Sequence, residues 1–222
     1  MVKLTQLIVL IGLLSLGLLP ISWAKSNFEA GKDYQVISIN SPANKAPSNN
    51  IAVLEFFSFG CPACYFLEAD LEKWEQSLSQ QVTFKRVPVI FHPGWEVYAK
   101  TYYILDGLGK SEAIAPKLFA AIHQERKALE SEQAMADFLK QFSIQPEIFS
   151  KAYNHSLAID SQLAQAKRLL NTYQVYQVPT LVIAGRYKTD LSMAQGNAQR
   201  MLEIANFLIK HAQNDLRAKT SS

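Results

Sequence analysis

Cysteine is scarce in this sequence, which has only two cysteines, Cys61 and Cys64, among its 222 residues. A chain of this length can build a hydrophobic core without the help of disulfide bonds. Both cysteines nevertheless lie in one short segment, VLEFFSFGCPACYFLEADLEKW, in a Cys-x-x-Cys arrangement. Such a pair could be half of a metal site, a structural disulfide or a pair of reactive thiols.

Histidine is also rare, and this argues against a metal site that includes the two cysteines. The chain has four histidines, and none lies near another at the spacing of metal ligands. Tetrahedral zinc takes four protein ligands, or three and a water molecule, so one Cys-x-x-Cys supplies only half a site. We therefore expect no metal and no cofactor. A structural disulfide is also disfavoured, because closing so short a loop removes little entropy from the unfolded chain.

Runs of basic residues are absent. The formal net charge is +3, and the lysines and arginines are scattered along the chain. A nucleic-acid-binding surface would require clustered Lys and Arg, so we expect no nucleic acid as a partner. With 49% hydrophobic and 18% charged residues, the composition is that of an ordinary globular protein.

The N-terminus has the pattern of a secretory signal peptide. Lys3 precedes an apolar run over residues 7–19, followed by Pro20 and the small-x-small sequence of residues 22–24. These are the charged, apolar and cleavage regions of a signal, and the run is shorter than the roughly 20 residues that span a bilayer. We predict a signal peptide over residues 1–24 with cleavage after Ala24; an uncleaved membrane anchor is the alternative. Export would place both cysteines in an oxidising compartment.

Strand patterns occur at both ends of the chain, and helical patterns fill the middle. Strands are predicted at 33–39, 51–59, 82–91, 179–185 and 186–189, and helices at 61–78, 96–109, 113–124, 131–142, 145–153, 158–175 and 197–213. This order is explained by an α/β domain, formed by residues 25–92 and 166–222, with an inserted helical domain at 93–165. Two sequential domains are the alternative, but they would leave the last hairpin and helix without a sheet.

The position of Cys61 favours the reactive pair. It would lie at the N-cap or first residue of the helix, with Pro62 at an early position where a missing N–H costs nothing. Unpaired N–H groups and the positive end of the helix dipole favour a thiolate there. Cys64 follows one turn later and further inside. The pair could therefore alternate between a dithiol and a redox-active disulfide.

The segment LEFFSFGCPACYFLE resembles the active site of the DsbA family, the thiol:disulfide oxidoreductases of the bacterial periplasm. EAGKDY near the start of the chain and VPTLVIAGRY near its end extend the resemblance over nearly the whole mature chain. The family implies a thioredoxin fold with an inserted all-helical domain. By resemblance, Cys61 is the nucleophile, Cys64 the resolving cysteine, and Pro179 a cis-proline that faces the active sulfur.

The resemblance also implies where a substrate binds. Val178 would present its backbone to an extended substrate peptide beside Pro179, with Pro62 and Ala63 forming the opposite side of the site. The alternative for Pro179 is an ordinary trans proline that opens a strand.

Glu55 is an acidic residue in an otherwise apolar strand. A buried carboxylate is costly unless it is paired or protonated, and in the family such an acid relays a proton to the resolving cysteine. The family's partners of this acid resemble Glu68 and Arg86, although Lys85 is adjacent to Arg86. The alternative is that Glu55 reaches solvent at a strand edge.

Ala63 is a departure from the family pattern, because the best-known members have a histidine between the proline and the second cysteine. Without a cationic imidazole near Cys61, we expect a less oxidising disulfide than in those members. This substitution leaves open whether the protein is purely an oxidant.

We predict an enzyme that donates its Cys61–Cys64 disulfide to reduced, unfolded exported proteins. By resemblance, a quinone-linked inner-membrane protein of DsbB type then reoxidises it. One alternative is a disulfide isomerase or reductase of the same fold, and another is a peptide-binding chaperone whose cysteines are incidental.

Several other residues are predicted to have mainly structural roles. We place Phe66, Leu71 and Trp74 in the helix core, and residues 92–95 in a loop that joins the sheet to the insertion. The alternative for this loop is a position at the border of the substrate groove. His123 and His155 are predicted to lie on helix surfaces.

Overall fold

The computed structural model describes residues 28–37 and 50–220 of the protein. The predicted signal peptide at 1–24 and the end of the first predicted strand, at 38–39, lie outside these ranges. Within them, no helix is long and apolar enough to cross a membrane.

The described residues form a five-stranded sheet in the order β1-β5-β4-β2-β3. The strands are β1 (Gln35–Val36), β2 (Ile51–Phe57), β3 (Val82–Pro88), β4 (Thr180–Ile183) and β5 (Tyr187–Asp190). β2 pairs in parallel with β3 and antiparallel with β4, and β5 lies antiparallel between β4 and β1. β2 and β4 are central because their nearly continuous apolar sequences suit strands buried on both faces.

The described residues form seven helices, of which one lies between β2 and β3, five lie between β3 and β4, and one follows β5. The helices are α1 (Pro62–Gln76), α2 (Trp95–Gly107), α3 (Ser111–His123), α4 (Glu132–Leu139), α5 (Pro146–His155), α6 (Leu157–Thr172) and α7 (Ala198–Thr220), with a 3₁₀ turn at Lys140–Phe142. Ser131 caps α4, as predicted, by accepting a hydrogen bond from the Ala134 N–H. The predicted α/β fold with an all-helical insertion is confirmed.

The insertion packs against the segment that contains the cysteines. One buried cluster joins Phe57, Phe59, Cys61 and Cys64 to apolar side chains of α2–α6, whereas a second fills the space between the sheet, α1 and α7. The predicted boundary after residue 165 falls inside α6, which runs unbroken from Leu157 to Thr172. The division into domains at that point remains a prediction.

The prediction for Phe66 was wrong, because its side chain is 74% exposed. The buried stripe of α1 consists of Cys64, Leu67, Glu68, Leu71 and Trp74, and Phe66 falls outside that stripe. Leu71 and Trp74 do lie in the core, as predicted. The predicted loop at 92–95 is a turn whose last residue, Trp95, begins α2.

Candidate active site

Cys61 is the N-cap residue of α1, as its position before Pro62 predicts. Its backbone is extended, with φ −91° and ψ 116°, and Pro62 is the first residue of the helix. The Cys64 N–H donates to the Cys61 sulfur over 3.4 Å. Both cysteines are unpaired thiols, and they are 7% and 1% exposed, respectively. Cys61 is thus the outer sulfur and Cys64 the inner one.

The two thiols differ in acidity. The pKa of Cys61 is lowered to about 7, mainly by a hydrogen bond from the Cys64 thiol. Burial of Cys61 acts in the opposite direction, whereas the backbone N–H groups of Cys64 and Ala63 lower the pKa further. Burial, reinforced by the nearby Cys61, raises the pKa of Cys64 well above its ordinary value. Near neutral pH Cys61 is therefore partly a thiolate, whereas Cys64 keeps its proton.

The loop before β4 faces Cys61. The Val178–Pro179 peptide bond is cis, as predicted. The Cys61 thiol donates to the Val178 carbonyl oxygen over 3.4 Å. The Thr180 hydroxyl donates to the Gln177 carbonyl over 2.8 Å and so ties this loop to the start of β4. These contacts bring Cys61, Val178 and Pro179 together.

Glu55, Glu68 and Arg86 form a buried charged group behind the cysteines. In the parallel register of β2 and β3, Glu55 lies opposite Arg86. The Arg86 guanidinium donates two hydrogen bonds of 3.0 Å to the Glu68 carboxylate. Its Nε also lies 3.1 Å from Glu55 Oε2 in an ion pair, although Oε2 accepts no hydrogen bond. Arg86, rather than the exposed Lys85, is therefore the basic partner.

Burial gives Glu55 an unusual acidity. Its side chain is 1% exposed, and desolvation, opposed by Arg86, raises its pKa to about 8. Glu55 therefore carries a proton through most of the neutral range, and Glu68 is the acid that accepts the hydrogen bonds of Arg86. The charge of Glu55 in turn contributes to the raised pKa of Cys64. The alternative of a solvent-exposed Glu55 at a strand edge is wrong.

The structure adds two contacts from the insertion that the sequence did not predict. Gly60 is closely covered by α2, and a Cβ atom there would lie 2.9 Å from Tyr98 Cε2 and from Trp95 Cδ1. His123, at the end of α3, has its Nε2 2.7 Å from the Phe59 carbonyl oxygen. The prediction of a surface role for His123 was therefore wrong, whereas His155 is exposed as predicted. Neither contact has a local signal, because each joins segments far apart in the chain.

Taken together, these features define a class of protein. A Cys-Pro-Ala-Cys pair at a helix N-terminus, with one acidic thiol and one shielded thiol, faces a cis-proline loop. Within residues 28–37 and 50–220, no cluster of three or more His, Cys, Asp or Glu side chains is arranged to hold a metal ion. The arrangement is that of a thiol:disulfide oxidoreductase with the thioredoxin fold.

Comparison of the sequence and the structure with those of known proteins identifies the family. The chain is 36% identical over 188 residues to a thiol:disulfide interchange protein DsbA of Burkholderia cepacia, covering 83% of this chain and 86% of that protein. It is also 36% identical to DsbA of Pseudomonas aeruginosa over 184 residues, covering 83% and 85% of the two chains. A crystal structure of P. aeruginosa DsbA matches with a TM-score of 0.76 and 34% identity, over 88% of this chain and 97% of that one. A scan against models of protein families gives no match.

The chain belongs to the DsbA family of thiol:disulfide interchange proteins. It is therefore an enzyme of the thiol:disulfide oxidoreductase class.

Proposed function

We propose that this protein oxidises pairs of thiols in exported proteins by passing its Cys61–Cys64 disulfide to them. The observation that carries the proposal is the N-cap position of Cys61, where the Cys64 thiol and two backbone N–H groups lower its pKa to about 7. A sulfur that is stable as a thiolate is a good leaving group, and Cys61 is also the more accessible sulfur of the pair for substrate attack. Cys61 and Cys64 are thus assigned as the catalytic pair.

The proposed transfer has two exchange steps. A substrate thiolate attacks the Cys61 sulfur of the disulfide, the Cys61–Cys64 bond breaks, and Cys64 leaves as a thiolate that takes up a proton. The second substrate thiolate then attacks the substrate sulfur of the mixed disulfide, and Cys61 leaves as a thiolate. The substrate loses two electrons, which remain on the enzyme as the dithiol. Because the pKa of Cys61 is low, the second departure is favourable at neutral pH.

Glu55 is assigned as the source of the proton for Cys64. Its pKa of about 8 means that it still holds a proton at neutral pH, and it lies in the same buried region as Cys64. A leaving thiolate in so apolar a site is costly unless it is protonated. Arg86 and Glu68 would hold the carboxyl in place through the contacts described above.

The substrate peptide is proposed to bind along Val178 and Pro179, opposite Pro62 and Ala63. In the dithiol form the Val178 carbonyl accepts from the Cys61 thiol. In the disulfide and in the mixed disulfide Cys61 has no S–H, so the carbonyl becomes available to a substrate N–H. Such backbone pairing accepts many sequences, which suits an enzyme that oxidises many exported proteins.

The cellular setting is proposed from the family. The protein would act in the periplasm after removal of residues 1–24, with cleavage after Ala24. A quinone-linked inner-membrane protein of DsbB type would reoxidise the dithiol. The helical segment 93–165 would form one domain and the two flanking segments, 25–92 and 166–222, the other.

Single-cysteine variants test the assignment of the nucleophile. The probe is a peptide with a single cysteine, which is linked through a disulfide bond to an aromatic thiol that serves as the leaving group. This peptide is mixed with Cys64→Ala or with Cys61→Ala, and the products are separated without reductant. Cys64→Ala should form the peptide disulfide at least about ten times faster, because Cys61 is the more exposed sulfur and keeps the backbone N–H groups that favour its thiolate, whereas burial disfavours a thiolate at Cys64. Equal rates, or faster reaction of Cys61→Ala, would contradict the proposal.

The redox state of the protein in cells separates an oxidase from the alternatives. An oxidase would be found mostly as the disulfide, whereas a reductase or isomerase would be found mostly as the dithiol.

A further inference from the structure

His123 contacts the chain immediately before the proposed nucleophile. Its Nε2 lies 2.7 Å from the carbonyl oxygen of Phe59, which is separated from Cys61 only by Gly60. A carbonyl can only accept, so Nε2 must carry a hydrogen, as it does in one neutral tautomer and in the imidazolium ion. The hydrogen bond therefore survives a change in the charge of the ring.

The same imidazole contacts Tyr65, which lies four residues after the nucleophile. Its ring stacks on Tyr65 with centroids 5.1 Å apart and an angle of 15° between the planes. Tyr65 lies in the first turn of α1, and its N–H donates to the Cys61 carbonyl over 3.1 Å. The neighbouring side chain, Gln124, also donates to the Tyr65 hydroxyl. The end of α3 thus contacts the chain both before Cys61, at Phe59, and after it, at Tyr65.

The turn between these two contacts, residues 59–65, determines the orientation of the N–H groups that stabilise the Cys61 thiolate. The Cys61 N–H donates to the Ser58 carbonyl over 3.1 Å, and the Gly60 N–H donates to the Ser58 hydroxyl over 3.2 Å. Phe59 itself is buried and packs edge-on against Phe119 of α3, with centroids 4.9 Å apart. A shift of the Phe59 carbonyl would therefore also move Cys61, because only Gly60 separates the two residues.

We propose that His123 is a positioning residue for Cys61. Its hydrogen bond to Phe59 and its ring on Tyr65 fix the two ends of the turn, so that the Ala63 and Cys64 N–H groups stay directed at the Cys61 sulfur. The proposal rests on the proposed function of Cys61 as nucleophile. It means that a helix of the insertion, remote in sequence, helps to set the redox equilibrium of the cysteine pair.

Two variants separate the hydrogen bond from the ring. His123→Phe keeps an aromatic ring that can stack on Tyr65 but loses the N–H donor. His123→Gln keeps a side-chain N–H that can reach the Phe59 carbonyl but loses the ring. His155→Gln is the matched control, because His155 is also at the end of an insertion helix but is exposed. Should His123→Phe fail to fold, His123→Gln and His123→Leu give the same contrast with and without a donor.

The readouts are the equilibrium constant with glutathione and the pH titration of the Cys61 thiolate. We expect His123→Phe to shift the equilibrium roughly threefold to tenfold toward the disulfide form and to raise the Cys61 pKa, because one hydrogen bond that orders the thiolate donors is lost. His123→Gln should shift it less, and His155→Gln should match the wild type.

A purely structural role gives a different result. It would lower the thermal stability of the oxidised and reduced forms equally and leave the equilibrium constant and the Cys61 pKa unchanged, which would overturn the positioning role. If the wild type itself fails to exchange its disulfide with glutathione, the proposed function is overturned together with this inference. If the wild type exchanges normally and His123→Phe behaves like it, only the inference fails.

Discussion

The sulfur of Cys61 lies 3.4 Å from the carbonyl oxygen of Val178. This carbonyl can accept a hydrogen bond from the thiol, but it offers nothing to a thiolate. The partners of the thiolate all lie in the first turn of α1, namely the Ala63 N–H and the N–H and thiol of Cys64. The loop before β4 and the start of α1 therefore favour opposite protonation states of the same sulfur.

Replacing Cys64 tests which group stabilises the Cys61 thiolate. Because the Cys64 thiol is the main cause of the lowered pKa, Cys64→Ala should raise the pKa of Cys61 above about 7. Cys64→Ser keeps a hydroxyl donor and should titrate about one unit or more below Cys64→Ala, since hydrogen bonds to charged groups are worth about 1.5–3 kcal/mol. The ultraviolet absorbance of the thiolate against pH measures both values. Identical titrations would mean that the side chain at position 64 is not the donor.

Ala63→His should make the disulfide more oxidising. Ala63 supplies an N–H to the Cys61 sulfur but no charge, and a cationic imidazole there would stabilise the thiolate further. From a pKa of about 7, a decrease of one to two units would raise the reduction potential by about 20–50 mV at pH 7. Equilibration with glutathione and quantification of trapped thiols measures the shift. Ala63→Gln is the neutral control, and a change toward a more reducing potential in Ala63→His would contradict the argument.

Glu55 makes the stability of the fold depend on pH. Its pKa rises from 4.5 to about 8 on burial, so the folded protein holds this proton more tightly than the unfolded chain does. The favourable effect of protonation is complete below about pH 4.5 and is lost as the pH rises through about 8. The free energy of unfolding of the wild type, relative to Glu55→Gln, should fall by about 1.4 kcal/mol per pH unit across this window.

Denaturant unfolding of the two proteins at several pH values measures this difference. Glu72→Gln, which removes an exposed carboxyl from α1, controls for the loss of one acidic group. A difference between the wild type and Glu55→Gln that stays constant with pH would show that Glu55 is already ionised in the folded protein at low pH.

Gly60→Ala should destabilise the protein. The added Cβ would lie 2.9 Å from Tyr98 Cε2 and from Trp95 Cδ1, so α2 or the turn must move. Overpacking of this kind costs about 1–3 kcal/mol. Gly107→Ala is the matched control, because a Cβ at the end of α2 meets nothing within 4 Å. Alanine should leave stability unchanged or slightly raised there. Equal melting temperatures of Gly60→Ala and the wild type would rule out the close packing.

Local patterns in the sequence predicted the elements that carry the cysteines. Cys61 lies at the helix start because the apolar run of β2 ends just before it and Pro62 suits the first helical turn. The hydrophobic period of α1 also predicted that Leu71 and Trp74 are buried. Phe66 shows the limit of this reasoning, since hydrophobicity alone suggests a core position, whereas the residue lies outside the buried stripe of α1.

Contacts between distant segments could not be predicted in the same way. The choice between Lys85 and Arg86 depends on the register of β2 and β3, because neighbouring residues of a strand point to opposite faces. His123 looked like a surface residue because nothing in α3 indicates that its end meets the Phe59 carbonyl. No local pattern marks Gly60 as constrained, because the atoms that crowd it belong to Trp95 and Tyr98.

The most direct test of the central claim is a single exchange between the oxidised protein and a reduced peptide that contains two thiols. The reaction is stopped with acid, free thiols are alkylated, and both partners are analysed by mass spectrometry. Transfer of the Cys61–Cys64 disulfide predicts that each peptide oxidised is matched by one protein molecule alkylated at both Cys61 and Cys64, and that neither single-cysteine variant oxidises the peptide. A peptide that keeps both thiols while the protein disulfide stays intact would contradict the account.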